Sequence, residues 1–170
     1  MSVRRQARKG RGAPLWRCPA CRRAFANRNQ SHACARLSLQ RHFRGRDPGV
    51  HGLYRAFLAR LRRLGPVTVL PQKTRIAFQA RICFAQLTPR RHSLLGHLVL
   101  AQVTSSAKFH RIESLSRRNH VHHFRLGSRK FLDREFTALL RAAYAVGQQE
   151  HLRGGRARPP RRTPPGARPG

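Results

Sequence analysis

Acids are what this chain has least of. Among 170 residues, five Asp and Glu stand against 37 Lys and Arg, a formal net charge of +32. The five are Asp47, Glu113, Asp133, Glu135 and Glu150, and three of them fall at the ends of helices read below. A Mg2+-dependent nuclease holds its ions with clustered carboxylates, so the sequence offers that class nothing. Long apolar runs are missing too. The best, "SLLGHLVLAQV", is broken by Gly96 and His97 and falls far short of the roughly 20 residues of a membrane span. The basic N-terminus has no apolar signal-peptide core, so the expectation is a soluble cytoplasmic protein. Most of the twelve aromatics are claimed by helix and strand faces. That leaves no paired aromatics of the RRM kind, and no helix-turn-helix pattern appears either.

Cations are what the chain has most of: 33 Arg and four Lys. Such a surplus attracts a polyanion, RNA or DNA foremost, or an anionic membrane surface. Eleven of the cations lie in "MSVRRQARKGRGAP", residues 1–14, and in "RGGRARPPRRTPPGARPG", residues 153–170. Both segments lack apolar residues to bury and read as disordered basic tails, the second beginning near residue 149. The stretch between the tails keeps 26 cations and all five acids, a net +21.

Residues 37–148 read as one α+β domain. In "SLQRHFRG", Ser38 is placed to cap a short helical turn that ends at Gly45. "DPGVHGLYRAFLARLRRLGP" then carries nearly every helix signal, with Asp47 at the N-cap, Pro48 at the first position and Gly65-Pro66 as the stop. Its apolar stripe is Val50, Leu53, Tyr54, Phe57, Leu58, Leu61 and Leu64, a core face. The pattern next changes to strands: "VTVLPQK", an alternating "TRIAFQARICF" expected to be half-buried, "SLLGHLVLAQV" and "HVHHFRL". "TSSAKFHRIESLSRRN" reads as an irregular crossover. A last helix presents Leu132, Phe136, Leu139, Leu140, Ala143 and Tyr144, with Asp133 and Glu135 in its first turn and Gly147 as its end cap. Strands grouped between two helices predict an antiparallel sheet of about four strands flanked by an N-terminal and a C-terminal helix.

Residues 15–36 are different. "WRCPACRRAFANRNQSHAC" spaces Cys18-x2-Cys21-x10-His32-x-Cys34. Two thiolates three positions apart can grip one tetrahedral ion, and His32 and Cys34, two apart on an extended segment, can return to it. The pattern predicts a closed, structural Cys3His zinc knuckle, and in a reducing cytosol clustered cysteines serve metals rather than disulfides. Arg17, Arg22 and Arg23 are placed to offset the net negative charge of three thiolates on Zn2+. The fourth cysteine, Cys83, reads as a small strand residue.

These residues, followed by "HF.G", "LY", "KTRIAF", "R.CFA", "HHFRL.S" and a final "AY.VG", resemble a bacterial family known as domain of unknown function 5655. The resemblance runs from about Trp16 to Gly147. It implies a knuckle followed by a compact α+β domain and carries no established activity. This chain is far richer in arginine than the family pattern and adds basic tails.

The function these features support is a non-catalytic module that contacts the phosphate backbone of RNA or DNA without reading its sequence. Arg55, Arg60, Arg62 and Arg63, on the solvent side of the first helix, are the candidate contacts, joined by Arg22 and Arg23 beside the knuckle. A protein–protein adaptor docking through the knuckle is the alternative. A metal-independent ribonuclease would need two histidines and an arginine. "NHVHHFR" offers His120, His122, His123 and Arg125, with His120 and His122 on one strand face. Ordinary strand polarity accounts for these as well, and no residue is assigned a catalytic role.

Overall fold

The computed structural model describes residues 14–25, 28–29, 32, 34–35 and 37–155. Residues 1–13 and 156–170, which hold most of both expected tails, lie outside the described residues.

Two short strands, β1 (Trp16–Arg17) and β2 (Ala24–Phe25), pair antiparallel as an N-terminal hairpin. The first helix, α1 (Pro48–Leu64), starts where its cap chemistry places it. The Asp47 carboxylate accepts from the Gly49 N–H at 2.7 Å, and Pro48 contributes a fixed φ at a position needing no donor. Val50, Leu53, Tyr54, Phe57 and Leu61 are buried, with Leu58 and Leu64 half-buried beside them. Gly65, at φ 147°, ends the helix in a conformation that other residues rarely adopt.

Six strands follow rather than about four: β3 (Thr68–Pro71), β4 (Ile76–Gln79), β5 (Cys83–Pro89), β6 (Leu94–Leu100), β7 (Arg111–Ser116) and β8 (Asn119–Leu126). They form one antiparallel sheet in the order β3-β4-β5-β6-β8-β7. "TRIAFQARICF" is two strands. The chain turns back at Ala80–Ile82, where the N–H groups of Arg81 and Ile82 both donate to the Gly147 carbonyl, at 2.9 and 3.0 Å, and Cys83 pairs with Gln79 across a register shift. β7 lies in the segment read as irregular. It is an edge strand whose residues are mostly exposed, so no apolar alternation marks it. The turn before α1 is a 3-10 helix, Gln40–His42, with Leu39 rather than Ser38 at its N-cap and no side-chain cap bond; Gly45 follows at φ 68°.

The second helix, α2 (Arg134–Gly147), begins at Asp133, whose side chain accepts from the Phe136 N–H at 2.8 Å. Gly147 is its last residue and not its cap; the left-handed position falls at Gln149, φ 62°. The reason for glycine at 147 is contact, since a Cβ there would lie 2.5 Å from Phe84 Cδ1. A 3-10 helix, Glu150–Gly155, then occupies the start of the segment read as tail.

Both helices cover one face of the sheet, and Phe57, Phe78, Phe84, Leu98, Phe124 and Phe136 fill the core between them with no exposed surface. On the opposite face the register lines up Ala77, Gln86, His97, His123 and Arg111 in one row across five strands. The hairpin docks over the β4 end of this face. All four residues of β4 are therefore buried, where a half-buried strand was expected.

Candidate metal centre and nucleic-acid interface

The hairpin makes the candidate metal centre. Between β1 and β2 the chain reverses through Cys18–Arg22. The Arg22 N–H donates to the Cys18 carbonyl at 2.8 Å, the Cys18 N–H to the Arg23 carbonyl at 3.0 Å, and Arg22 takes φ 60° to close the turn. Cys18 and Cys21 thus share one side of a tight loop. The returning segment is held by Arg23, whose guanidinium donates to the Ala35 carbonyl at 3.0 Å, and by Phe25, whose ring lies 4.3 Å from that of His32.

The donor atoms of Cys18, Cys21, His32 and Cys34 all fall within 4.8 Å of one another, so the four residues could hold one metal ion. Three of the separations are close to the edges of a tetrahedral site. Cys18 and Cys34 sulfurs are 3.8 Å apart, and His32 Nε2 is 3.3 Å from Cys21 Sγ and 3.4 Å from Cys34 Sγ. Metal–sulfur bonds of about 2.3 Å and metal–nitrogen bonds of about 2.0 Å require edges of about 3.8 and 3.5 Å. Two of the thiols hold their protons unequally. The backbone N–H of Cys21 brings Cys18 down to about 6, while the hydrogen bond with Cys18 pushes Cys34 up to about 11, as expected when neighbouring sulfurs share protons that a cation would displace. Cys83 is not part of this cluster: it sits in β5, and burial pushes its thiol up.

The cations chosen from sequence do not form one surface. Arg55, Arg62 and Arg63 are exposed on α1, and Arg55 and Arg62 border a groove completed by Arg129. Arg60 departs from the expectation: its guanidinium donates to the Leu132 carbonyl, so it joins α1 to the start of α2. Arg22 is exposed in the hairpin turn, and Arg23 is spent on Ala35.

A denser group was missed. Arg41, Arg46, Lys73, Arg75 and Arg90 line one cleft of about 560 Å³ together with His42, Thr74, Thr88 and Pro89, and no acid lines it. These residues come from the 3-10 turn, the β3–β4 connection and the end of β5. Each is an ordinary loop cation in sequence, and only the sheet topology gathers them.

The histidines of "NHVHHFR" divide between the two faces. His122 is fully buried toward the helices with both ring nitrogens engaged: Nε2 accepts from the Thr104 N–H at 3.0 Å, and Nδ1 faces the His120 carbonyl at 3.0 Å. Burial holds it below the usual histidine range. His120 Nδ1 pairs with Ser114 Oγ at 2.8 Å. Both are structural side chains in this arrangement. His123 points the other way, beside His97 at 5.5 Å between ring centres, and Arg125 shares its face by strand alternation.

No curated protein and no solved structure matches the chain. The family "Domain of unknown function (DUF5655)" matches residues 40–147. The match begins after the Cys/His cluster rather than at Trp16, so the candidate metal site rests on its geometry alone. Over its α+β domain, with both helices and all six strands of the main sheet, this chain belongs to the DUF5655 family.

Proposed function

We propose that this is a zinc-containing protein that binds RNA or DNA through the phosphate backbone, without reading its sequence. The observation that carries the reading is the cleft of Arg41, Arg46, Lys73, Arg75 and Arg90, five cations with no acid among its lining residues. Concave walls of one charge sign focus the field and concentrate a polyanion. Lys73, Thr74 and Arg75 also border the groove beneath Phe25 and His32. A strand lying in the cleft would therefore run against the knuckle, whose zinc has a supporting role. Three thiolates and one imidazole suit Zn2+, and four protein ligands leave it no open position for chemistry. The groove of Arg55, Arg62 and Arg129 on α1 supplies a second, weaker contact.

The test is affinity against salt for two unrelated oligonucleotides. On duplex, each phosphate neutralised contributes about −0.9 to the log–log slope. Changing Lys73, Arg75 and Arg90 to Gln is expected to flatten the slope by two to three phosphates on both oligonucleotides equally. Binding that does not depend on salt, or a slope those changes leave alone, overturns the reading.

A further inference from the structure

We propose that the depression on the knuckle side of the sheet between Gln86, His97 and His123 seats one phosphate of the bound strand, and that a proton is taken up with it. The proposal rests on the nucleic-acid reading above and names a site within it.

The place is built by the sheet register. Gln86, His97 and His123 stand side by side on β5, β6 and β8, and Arg75 and Arg90 close the depression, which measures about 200 Å³. Arg75 and Arg90 also line the basic cleft, so a backbone held there continues directly into this site. Two buried polar atoms here lack a hydrogen-bond partner: Gln86 Oε1 and His123 Nε2. Glu113 Oε1 lies 3.1 Å from that His123 nitrogen, off the line of a hydrogen bond, and is held at 2.8 Å by Arg111. Buried polar atoms normally find partners; to an anion in this depression the His123 ring nitrogen would donate, and Gln86 would present its amide N–H2, which now reaches only Cys83 Sγ at 3.7 Å, rather than its acceptor oxygen.

The surrounding charges say which ligand. Arg75 and Arg90 face the pair from the loops, Arg111 and Glu113 from β7, and His110 and Arg125 flank His123. Arg111 engages the single carboxylate, which leaves the cations in excess. Burial first, then His123 and Arg75, hold His97 down to about 4, so at neutral pH it is an uncharged imidazole in a cationic setting. An anion seated there reverses the repulsion and makes the imidazolium favourable. By linkage, whatever raises the proton affinity of His97 when bound is itself bound more tightly as pH falls.

The experiment has two arms. In the first, oligonucleotide affinity is measured from about pH 8 to pH 5.5 at constant ionic strength. We expect it to rise as pH falls, by no more than about tenfold per pH unit for one proton. His97→Gln should lose most of that rise while keeping the salt slope at pH 8, and the exposed His92→Gln should keep both. In the second arm, the His97 ring resonance is titrated with and without inorganic phosphate, and its pKa should move up with phosphate in wild type and less in Arg75→Gln. Salt-dependent binding whose pH dependence survives in His97→Gln overturns the site and leaves the nucleic-acid reading intact. Loss of all salt-dependent binding overturns that reading, and an unmoved His97 titration then overturns the site as well.

Discussion

The Gln79 side-chain amide donates to the Ala24 carbonyl at 2.6 Å, joining β4 of the main sheet to the second strand of the N-terminal hairpin. Gln79 is buried, so Gln79→Ala leaves that carbonyl without a donor, a loss of about 1–3 kcal/mol. The expected result is faster amide exchange across residues 16–25, with exchange in α1 and α2 unchanged.

Purified protein should carry one equivalent of zinc, and Cys18→Ser or Cys21→Ser should reduce it well below one. Chelation should open the hairpin and leave the helical signal of the main domain in place, because its core lies on the other face of the sheet. Metal should also be lost as the medium is acidified, since protons compete for the thiolates. Metal analysis and circular dichroism on the same samples check all three outcomes.

Besides Gly65 at its left-handed position, two glycines are required by contact. A Cβ at Gly96 would lie 2.4 Å from Phe124 Cζ, and one at Gly147 2.5 Å from Phe84 Cδ1. Gly96→Ala and Gly147→Ala should each destabilise the domain by about 1–3 kcal/mol, read as a lower urea midpoint. Gly127, with nothing within 4 Å of its Cβ position, should tolerate Ala within about 0.5 kcal/mol.

Acid should weaken this fold earlier than carboxylates alone would. His42, His97 and His122 are all held below the ordinary histidine value, each chiefly by burial. The unfolded chain therefore takes up protons first. The stabilising contribution is complete above about pH 6.5 and drains away as pH falls toward the native values. Asp133 adds a second window. Lys108 and the Phe136 N–H hold its carboxyl low, so its contribution is complete above about pH 4 and is lost below. Melting temperature should drop between pH 7 and pH 5 and again below pH 4; a flat profile from 7 to 5 would show that the histidines are not neutral in the fold.

Arg60 and Arg62 should separate cleanly despite being neighbours. Arg60→Gln removes the tie to Leu132 and should cost about 1 kcal/mol. Arg62→Gln, at an exposed site, should leave stability alone and flatten the salt slope slightly.

The two helices were legible because their signals are local: Asp47 and Asp133 cap, and the apolar stripes recur within one element. The Cys/His cluster was legible for the same reason, its four residues lying between residues 18 and 34. What failed depended on tertiary context. β4 is covered on both sides, so the alternation that should have separated it from β5 had no exposed face to mark it. β7 is an exposed edge with little apolar pattern. The basic cleft draws its cations from three loops, and no window of sequence holds them together.

The order of elements along the chain also sets an order in time during synthesis. All four residues of the candidate metal site emerge before any strand of the main sheet, so a metal ion could be captured by a hairpin that as yet has nothing to dock on. Its anchor, Gln79, appears 55 residues after Ala24. The strands that follow build an apolar face around Phe78, Phe84, Leu98 and Phe124, which α1 alone covers only in part. That face stays wet until α2, the last element packed on it, leaves the ribosome. A nascent chain paused before residue 134 would expose part of that apolar face. α2 is therefore the element whose arrival completes the cover of that apolar face.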